Sequence, residues 1–285
     1  MEQELVRLIS AVLTRLAEQG VTGTALEKEW TAIQEADPDE VEFCVASARL
    51  GLEPYSEAEP YEQLIVQAAD ELRGNLLGDF YDAVDPALMG DALEWIRLAR
   101  SDIRQAVRPG SDAVALRREL SPLQSPADNR AWEKGWSHAR AVRRALGLRE
   151  TAKFSLTPYI HCLDRGGPDR GLRAVGGAAE EYGPVAVMEP GLPTTARRFT
   201  LARALCRYLW EPEPLFLVTA AYTFRQKVER AFATELLAPA AGIAELLDVA
   251  PDAALPDDLE KIAARFQVSP IVIKHQLENQ LLATA

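Results

Sequence analysis

The chain changes its sequence pattern twice, and these changes constrain its fold more than any other feature. Over about the first 110 residues, apolar side chains recur at helical spacing, as at Leu5, Leu8, Ile9, Val12, Leu13 and Leu16. From about 150 to 195 Gly and Pro become frequent, and the short apolar runs FSLTPYIHCL and PVAVME predict strands. Helical patterns then return, at 196–210, 222–237, 257–265 and 269–281. We therefore expect a mostly α protein with a small β-sheet, of the α+β class.

The same changes predict two domains joined by a linker. Residues 1–110 show no strand signal and predict an all-α N-terminal domain. The linker is expected at 108–129, where one Pro-Gly and two Ser-Pro steps favour turns. Residues 130–285 form the predicted α+β domain, which closes with a helix pair at 257–281.

The composition limits the partners and the cellular compartment that we expect for the chain. The formal net charge is −12, which disfavours unselective binding of nucleic acid by the whole surface. The three cysteines, Cys44, Cys162 and Cys206, are far apart and predict neither a zinc knuckle nor a disulfide framework. The first 20 residues lack the pattern of a signal peptide, and no apolar run is long enough to span a bilayer. We expect a cytoplasmic protein without a membrane partner.

One helical segment, RRFTLARALCRYLW at Arg197–Trp210, has the flanking residues of a zinc-protease helix. In such a helix, the two histidines of H-E-x-x-H share one face and bind zinc, while the glutamate activates water. The residues before and after the centre resemble those of the ImmA/IrrE family of metallopeptidases, whose motif reads R-x-F-T-L-A-H-E-L-G-H-x-L. The resemblance implies a zincin-like minimal metallopeptidase domain and, for the family, a zinc cofactor.

Two further segments are similar to the same family. ERAFATELLAP, Glu229–Pro239, resembles its second signature, in which a glutamate near the front of the helix is the third zinc ligand. The resemblance places Glu229 at or next to that position. LEKIAARFQVSPIVIKHQLEN, Leu259–Asn279, resembles the closing helix pair. The similarity covers about 130 to 280 and leaves the N-terminal helices outside it.

The chain departs from the family motif at the residues that would bind zinc and activate water. Arg203 and Arg207 stand at the two histidine positions, and Ala204 stands at the position of the catalytic glutamate. Arginine is permanently charged and offers no lone pair to a metal, and alanine cannot move a proton. The sequence therefore predicts no zinc at this position and no peptidase activity from the inherited site.

Two interpretations of the paired arginines remain open. In the first, an arginine fills the place of the metal and forms an ion pair with Glu229 that holds two helices together. In the second, Arg203 and Arg207 receive an anion, such as a phosphate, a nucleotide or an acidic peptide. A metal site rearranged around His138, His161 or His275 is a third alternative, although none of these lies four residues from another His or Cys. We expect His138 to be exposed on its helix.

Three classes of function follow from these patterns. The leading hypothesis is a catalytically inactive ImmA/IrrE-like domain that binds a protein partner in stress-response, mobile-element or phage-related regulation. The acidic N-terminal domain would be a second binding surface. The alternatives are a DNA-binding regulator and a peptidase with a rearranged metal site. For DNA, the candidate contacts are Arg140, Arg143, Arg144 and Lys274. The segment IAARFQVSPIVIKHQL has helix-turn-helix spacing, with Ser269 placed to cap its second helix.

Overall fold

The structure is a computed structural model that describes residues 2–106, 112–120, 130–167, 171–179, 183–211 and 213–282. It confirms a mostly helical α+β fold with a small four-stranded sheet. The chain divides into two compact units, Met1–Ile65 and Val66–Ala285. Within the described ranges, none of the helices combines the length and the apolar character that crossing a bilayer requires.

The N-terminal unit consists of helices with little buried surface. Its helices are α1 (Glu2–Glu18), α2 (Ala25–Glu35) and α3 (Pro38–Arg49), and α4 (Glu62–Glu71) begins at its end. The Thr24 hydroxyl caps α2 by accepting from Glu27 N at 3.1 Å, and the Asp37 carboxylate caps α3 by accepting from Asp39 N at 2.9 Å. Gly20, with φ of 76°, supplies the left-handed residue that follows α1.

The second unit places its helices around the sheet. In chain order it contains α5 (Asn75–Tyr81), α6 (Met89–Gln105), α7 (Asp112–Leu120), α8 (Ala131–Ala145), β1 (His161–Asp164), β2 (Leu172–Ala179), β3 (Gly183–Met188), α9 (Thr194–Trp210), β4 (Leu215–Thr219), α10 (Phe224–Leu237), α11 (Ala240–Leu246), α12 (Pro256–Phe266) and α13 (Pro270–Gln276). A π-helical turn, Leu277–Leu281, continues α13.

The sheet has the order β1-β3-β2-β4, with β1 and β3 parallel and the other pairs antiparallel. Every residue of β3 is buried, which explains why its sequence is a continuous apolar run. Gly176 in β2 lies opposite Phe216 in β4, and a Cβ at this glycine would be 2.1 Å from the Phe216 ring. The missing side chain at Gly176 therefore leaves room for the Phe216 ring.

The core lies between the sheet and the helices α8, α9 and α10. Gly135 in α8 makes the closest helix approach, since a Cβ there would be 2.4 Å from the carbonyl oxygen of Val228 in α10. Phe232, Leu236, Ala139 and Val142 fill this contact and are inaccessible to solvent. The three central helices are thus held at fixed positions relative to each other.

The division of the chain differs from the boundary near residue 110 expected from sequence. Helices α5 and α6 belong to the second unit because both pack on the sheet, α5 on β4 and α6 on β2 and β3. Ile103 of α6 lies against Gly177, and Trp95 lies against Gly167, which follows β1. Asp102 in α6 also forms an ion pair with Arg165, with an Nη2–Oδ1 distance of 2.8 Å. The expected linker at 108–129 contains α7, whose apolar side chains Ala113, Leu116 and Leu120 are buried. Its remaining residues, 108–111 and 121–129, lie outside the described residues.

Candidate functional site

The protease-like segment forms the helix α9 and is buried along most of its length. Every residue from Thr200 to Leu209 is buried, including Ala204, which has no accessible surface. Arg203 and Arg207 lie one turn apart and expose 4% and 1% of their surfaces. Because residues four apart share a helix face, both guanidinium groups reach the same region between α9 and α10.

Arg203 connects three elements through hydrogen bonds. Its Nη2 donates to the carbonyl oxygen of Thr219 at 2.8 Å and to Glu229 Oε2 at 3.1 Å. The same nitrogen donates to Gln226 Oε1, which also accepts from Thr219 N at 3.2 Å. Arg203 therefore binds the end of β4 and the first turns of α10 to the middle of α9.

Arg207 lies among four carboxylates. Its Nη1 is 3.1 Å from Glu211 Oε2 and 3.6 Å from Glu229 Oε1. Its Nη2 is 3.1 Å from Glu213 Oε2 and 3.3 Å from Asp79 Oδ2. The guanidinium carbon also lies 5.6 Å from the centre of the Phe216 ring.

Arg225 completes a charge cluster with a buried centre and a partly exposed edge, which consists of Arg203, Arg207, Arg225, Asp79, Glu211, Glu213 and Glu229. Its Nε is 2.9 Å from Glu211 Oε2, and its Nη1 is 3.3 Å from Asp79 Oδ2. With every group ionised, the three arginines and four carboxylates carry a net charge of −1. Carboxylates of the chain itself thus surround the arginines, a geometry that favours the ion-pair interpretation over the anion receptor.

Burial shifts the pKa values in the cluster toward the neutral forms. It raises the pKa of Glu229 to about 7, with Arg203 and Arg207 opposing the shift. It also raises the pKa of Asp79, against the attraction of Arg207 and Arg225. The pKa of Arg203 is lowered by burial to about 10, so this side chain stays charged near neutral pH. Glu229 is therefore a group of the cluster whose protonation changes near neutral pH.

The residues present do not fit a zinc ion. Arg203 and Arg207 occupy the ligand positions with groups that only donate hydrogen bonds. A cavity of about 200 Å³ lies beside Arg207, and its lining includes Lys134, whose charge opposes a cation. The Cys206 thiol also lines this cavity, but burial raises its pKa well above the usual range, so it stays protonated. Across the described ranges, no group of three His, Cys, Asp or Glu side chains is arranged to hold a metal.

The three histidines lie on separate elements. His138 is buried and stacks on Trp210, with the ring centres 4.0 Å apart and the planes at 5°. The expectation that His138 is exposed is therefore wrong, because α8 turns this residue toward α9. Burial lowers its pKa to about 4. His161 begins β1 and His275 lies on α13, both exposed.

The four candidate nucleic-acid contacts differ in exposure and in the partners they already have. Arg143, a candidate DNA contact, is only 1% exposed because its guanidinium binds backbone carbonyl groups. It donates to the oxygens of Leu236 at 2.9 Å and Ala152 at 3.0 Å. Arg140 is exposed but bound to Glu235, with an Nε–Oε1 distance of 2.7 Å. Arg144 and Lys274 are exposed on different helices, and Lys274 Nζ lies 3.7 Å from Glu278 Oε1 on its own face.

The closing helices α12 and α13 pack against the core. Gln267 adopts a left-handed conformation with φ of 56° between them, and Val268 is buried in the turn. Ser269 occupies the capping position of α13, but its hydroxyl makes no capping hydrogen bond. The buried amide of Gln276 donates to Glu235 Oε2 at 2.7 Å and to the carbonyl of Ala238 at 2.9 Å. These contacts fix α13 against α10, while the two basic residues of α13, Lys274 and His275, are exposed.

A larger concave surface is lined mainly by residues of α8, α9, α10 and α13. This groove has a volume of about 880 Å³ and runs between α8 and α13, with the beginning of α9 and part of α10 as its floor. Its apolar lining includes Trp132, Trp136, Phe199, Ile271 and Val272. Trp132 and Ile271 are 46% and 52% exposed, so the two walls present large apolar side chains to solvent.

Several of these residues could not be found from the motif alone. The sequence points to Arg203, Arg207 and Glu229, which the structure brings together, with Ala204 buried behind them. It gives no signal for Asp79, which comes from α5. Comparison with known proteins adds no relatives: no protein-family model matches the chain, and no curated protein matches it.

Proposed function

We propose that the protein is a non-catalytic, ImmA/IrrE-like pseudo-metallopeptidase that acts as a regulatory, protein-binding module. Its partner would be a regulator of a stress response, a mobile element or a phage. The observation that carries this proposal is the ion pair of Arg203 with Glu229. The resemblance assigns Arg203 to a zinc-ligand position and Glu229 to the third ligand position or the one next to it.

The charge cluster supports a structural role for the inherited helix. Three arginines and four carboxylates bind α9 to α5, β4 and α10, where a catalytic site would need an open metal position. The remaining cavity of about 200 Å³ is smaller than typical small-molecule sites of about 300–1,000 Å³. The helix is thus retained for packing while its chemistry is absent.

The groove between α8 and α13 supports binding. Its volume of about 880 Å³ and its apolar walls suit an apolar segment of a protein partner. Arg130 at its edge already forms an ion pair with Glu133, with an Nη1–Oε1 distance of 3.2 Å. Apolar contact with Trp132, Trp136 and Ile271 would therefore supply most of the affinity.

Restoring the H-E-x-x-H motif tests whether Arg203, Ala204 and Arg207 are what prevents zinc binding. The variant Arg203→His/Ala204→Glu/Arg207→His regains the H-E-x-x-H pattern, with Glu229 available as the third ligand. Elemental analysis should find zinc at about one equivalent in this variant and far less in the natural chain, after both are dialysed against the same zinc solution. Zinc at one equivalent in the natural chain would contradict the proposal.

Peptide binding tests the groove. An array of apolar peptides should yield ligands that bind at micromolar concentration, and the double variant Trp132→Ala/Ile271→Ala should weaken them about tenfold or more. The control is Leu255→Ala, which removes an exposed apolar side chain outside the groove. Equal binding by both variants would show that the peptides do not use this groove.

A further inference from the structure

The N-terminal unit carries most of the net negative charge of the protein. Residues 1–65 contain fourteen Asp and Glu and four Lys and Arg, a net charge of −10 out of −12 for the whole chain. The remaining 220 residues therefore carry only −2. Such an asymmetry steers oppositely charged partners toward one part of a molecule.

Helix α1 of this unit presents an apolar stripe to solvent. Leu5, Leu8 and Val12 follow each other at spacings of three and four residues and are 57%, 62% and 41% exposed. The neighbouring face of α1 is different, since Ile9, Leu13 and Leu16 are half-buried. The apolar residues of α1 thus divide into a half-buried set and a more exposed set.

The two following helices repeat this arrangement. In α2 no residue is buried, and Leu26 and Ile33, seven positions apart, are exposed. In α3 the exposed pair is Val41 and Val45, one turn apart. Exposed apolar residues scattered singly are ordinary, but helical spacing in three consecutive helices indicates surfaces that a partner covers.

The negative charge of the unit limits which partners could cover its exposed apolar faces. A second copy of the unit would bring another −10 against the same faces, and nucleic acid or an anionic membrane would meet the same repulsion. A basic polypeptide with an apolar face satisfies both features, because apolar contacts are then surrounded by charges of opposite sign.

We propose that the N-terminal unit, through the stripe Leu5–Leu8–Val12 on α1 and the exposed apolar residues of α2 and α3, binds a basic amphipathic polypeptide, such as a Lys- or Arg-rich helix. This inference goes beyond the charge cluster and the groove and does not rest on them. Apolar burial supplies affinity that persists at high salt, while the acidic side chains accelerate association at low salt.

The test uses the full-length chain and three peptides of about 18 residues, long enough for five helical turns. The first combines Lys and Leu in an amphipathic helix, the second replaces its Lys by Glu, and the third replaces its Leu by Ser. Calorimetry should show micromolar binding of the Lys/Leu peptide and binding at least about tenfold weaker for the other two.

Substitutions locate the surface. The variant Leu5→Gln/Leu8→Gln/Val12→Gln should weaken the Lys/Leu peptide at least about tenfold, whereas the control Val249→Gln/Leu255→Gln, which alters exposed apolar residues of the second unit, should bind normally. A second variant, Glu4→Lys/Glu35→Lys/Glu42→Lys, leaves the stripe intact and should weaken binding severalfold at low salt. It tests the proposal even if the first variant loses helicity by circular dichroism.

Four results would overturn the inference. The first is no binding of the Lys/Leu peptide, and the second is unchanged binding of this peptide by both sets of variants. The third and fourth are equally strong binding of the peptide in which Glu replaces Lys, and of the peptide in which Ser replaces Leu. Sedimentation provides one further check. A dimer that the Leu5→Gln/Leu8→Gln/Val12→Gln variant dissociates would identify a second copy as the occupant and would also refute it.

Discussion

Arg207 Nη2 lies 3.3 Å from Asp79 Oδ2, which joins the middle of α9 to a helix from a distant part of the sequence. Both side chains are at least nine-tenths buried, so neither charge is compensated by water. Arg225 shares the same Asp79 oxygen at 3.3 Å. The charge cluster therefore depends on α5 as well as on α9 and α10, the two helices that resemble a protease.

Removal of Arg207 should destabilise the protein strongly. In Arg207→Met, four carboxylates lose their shared cation while staying close together, and we expect a loss of about 3–5 kcal/mol in the free energy of unfolding. Urea unfolding measures the change. The control is Arg15→Met, whose ion pair with Glu18 is exposed and should contribute at most about 1 kcal/mol. Similar losses in the two variants would mean that the cluster does not carry this stability.

The stability of the fold should decrease as pH rises from about 4.5 to about 7 through the titration of Glu229. Its pKa is raised from 4.5 to about 7 in the folded state, so the folded chain holds the proton more tightly in that window. Glu229→Gln should remove this part of the slope, while Asp79, also shifted upward, retains its own part. Urea unfolding at several pH values tests the difference, and parallel curves for the two proteins would contradict it.

The titration of His138 should change stability with pH in the direction opposite to that of Glu229. Its pKa is lowered from 6.5 to about 4, so protonation favours the unfolded chain and stability is lost as pH falls between these values. His138→Phe keeps an aromatic ring against Trp210 and should flatten the acid side of the stability curve. Thermal unfolding at about pH 7 and about pH 4.5 measures this, and an unchanged acid loss in the variant would count against the assignment.

Gly135 should tolerate no side chain. A Cβ there would be 2.4 Å from the Val228 carbonyl oxygen and 2.6 Å from the Ala231 Cβ, so Gly135→Ala must separate α8 from α10. We expect a loss of about 1–3 kcal/mol, despite the better helix propensity of alanine. Gly166→Ala, where nothing lies within 4 Å, should change stability by less than about 0.5 kcal/mol. Equal stability of the two variants by urea unfolding would contradict the tight contact.

Sequence patterns identify the elements that have a strong period or a motif. The stripe of α1 and the apolar run of β3 were both predicted, and α9 and α10 follow from their periodicity. Strands β2 and β4 were not predicted. Gly176 and Gly177 in β2 weaken its strand signal, and β4 is only five residues long. Their pairing depends on Phe216 lying over Gly176, a contact that neither segment encodes alone.

The candidate site shows the same limit. The spacing of Arg203 and Arg207 and the position of Glu229 follow from helical geometry and from the resemblance to a protease motif. Asp79 does not, because its place in the cluster depends on how α5 packs beside β4. Arg143 illustrates the reverse case, since a basic residue on an amphipathic helix is usually exposed, yet here it binds four carbonyl groups.

The cover that α6 provides for the sheet has a practical consequence for work with shorter versions of the protein. A fragment that begins at residue 130, where the resemblance begins, would lack Asp79 and expose β2 where Ile103 now lies against Gly177. Such a fragment should aggregate or remain unfolded. The shortest version expected to fold on its own begins ahead of Asn75, so that α5 and α6 are both retained.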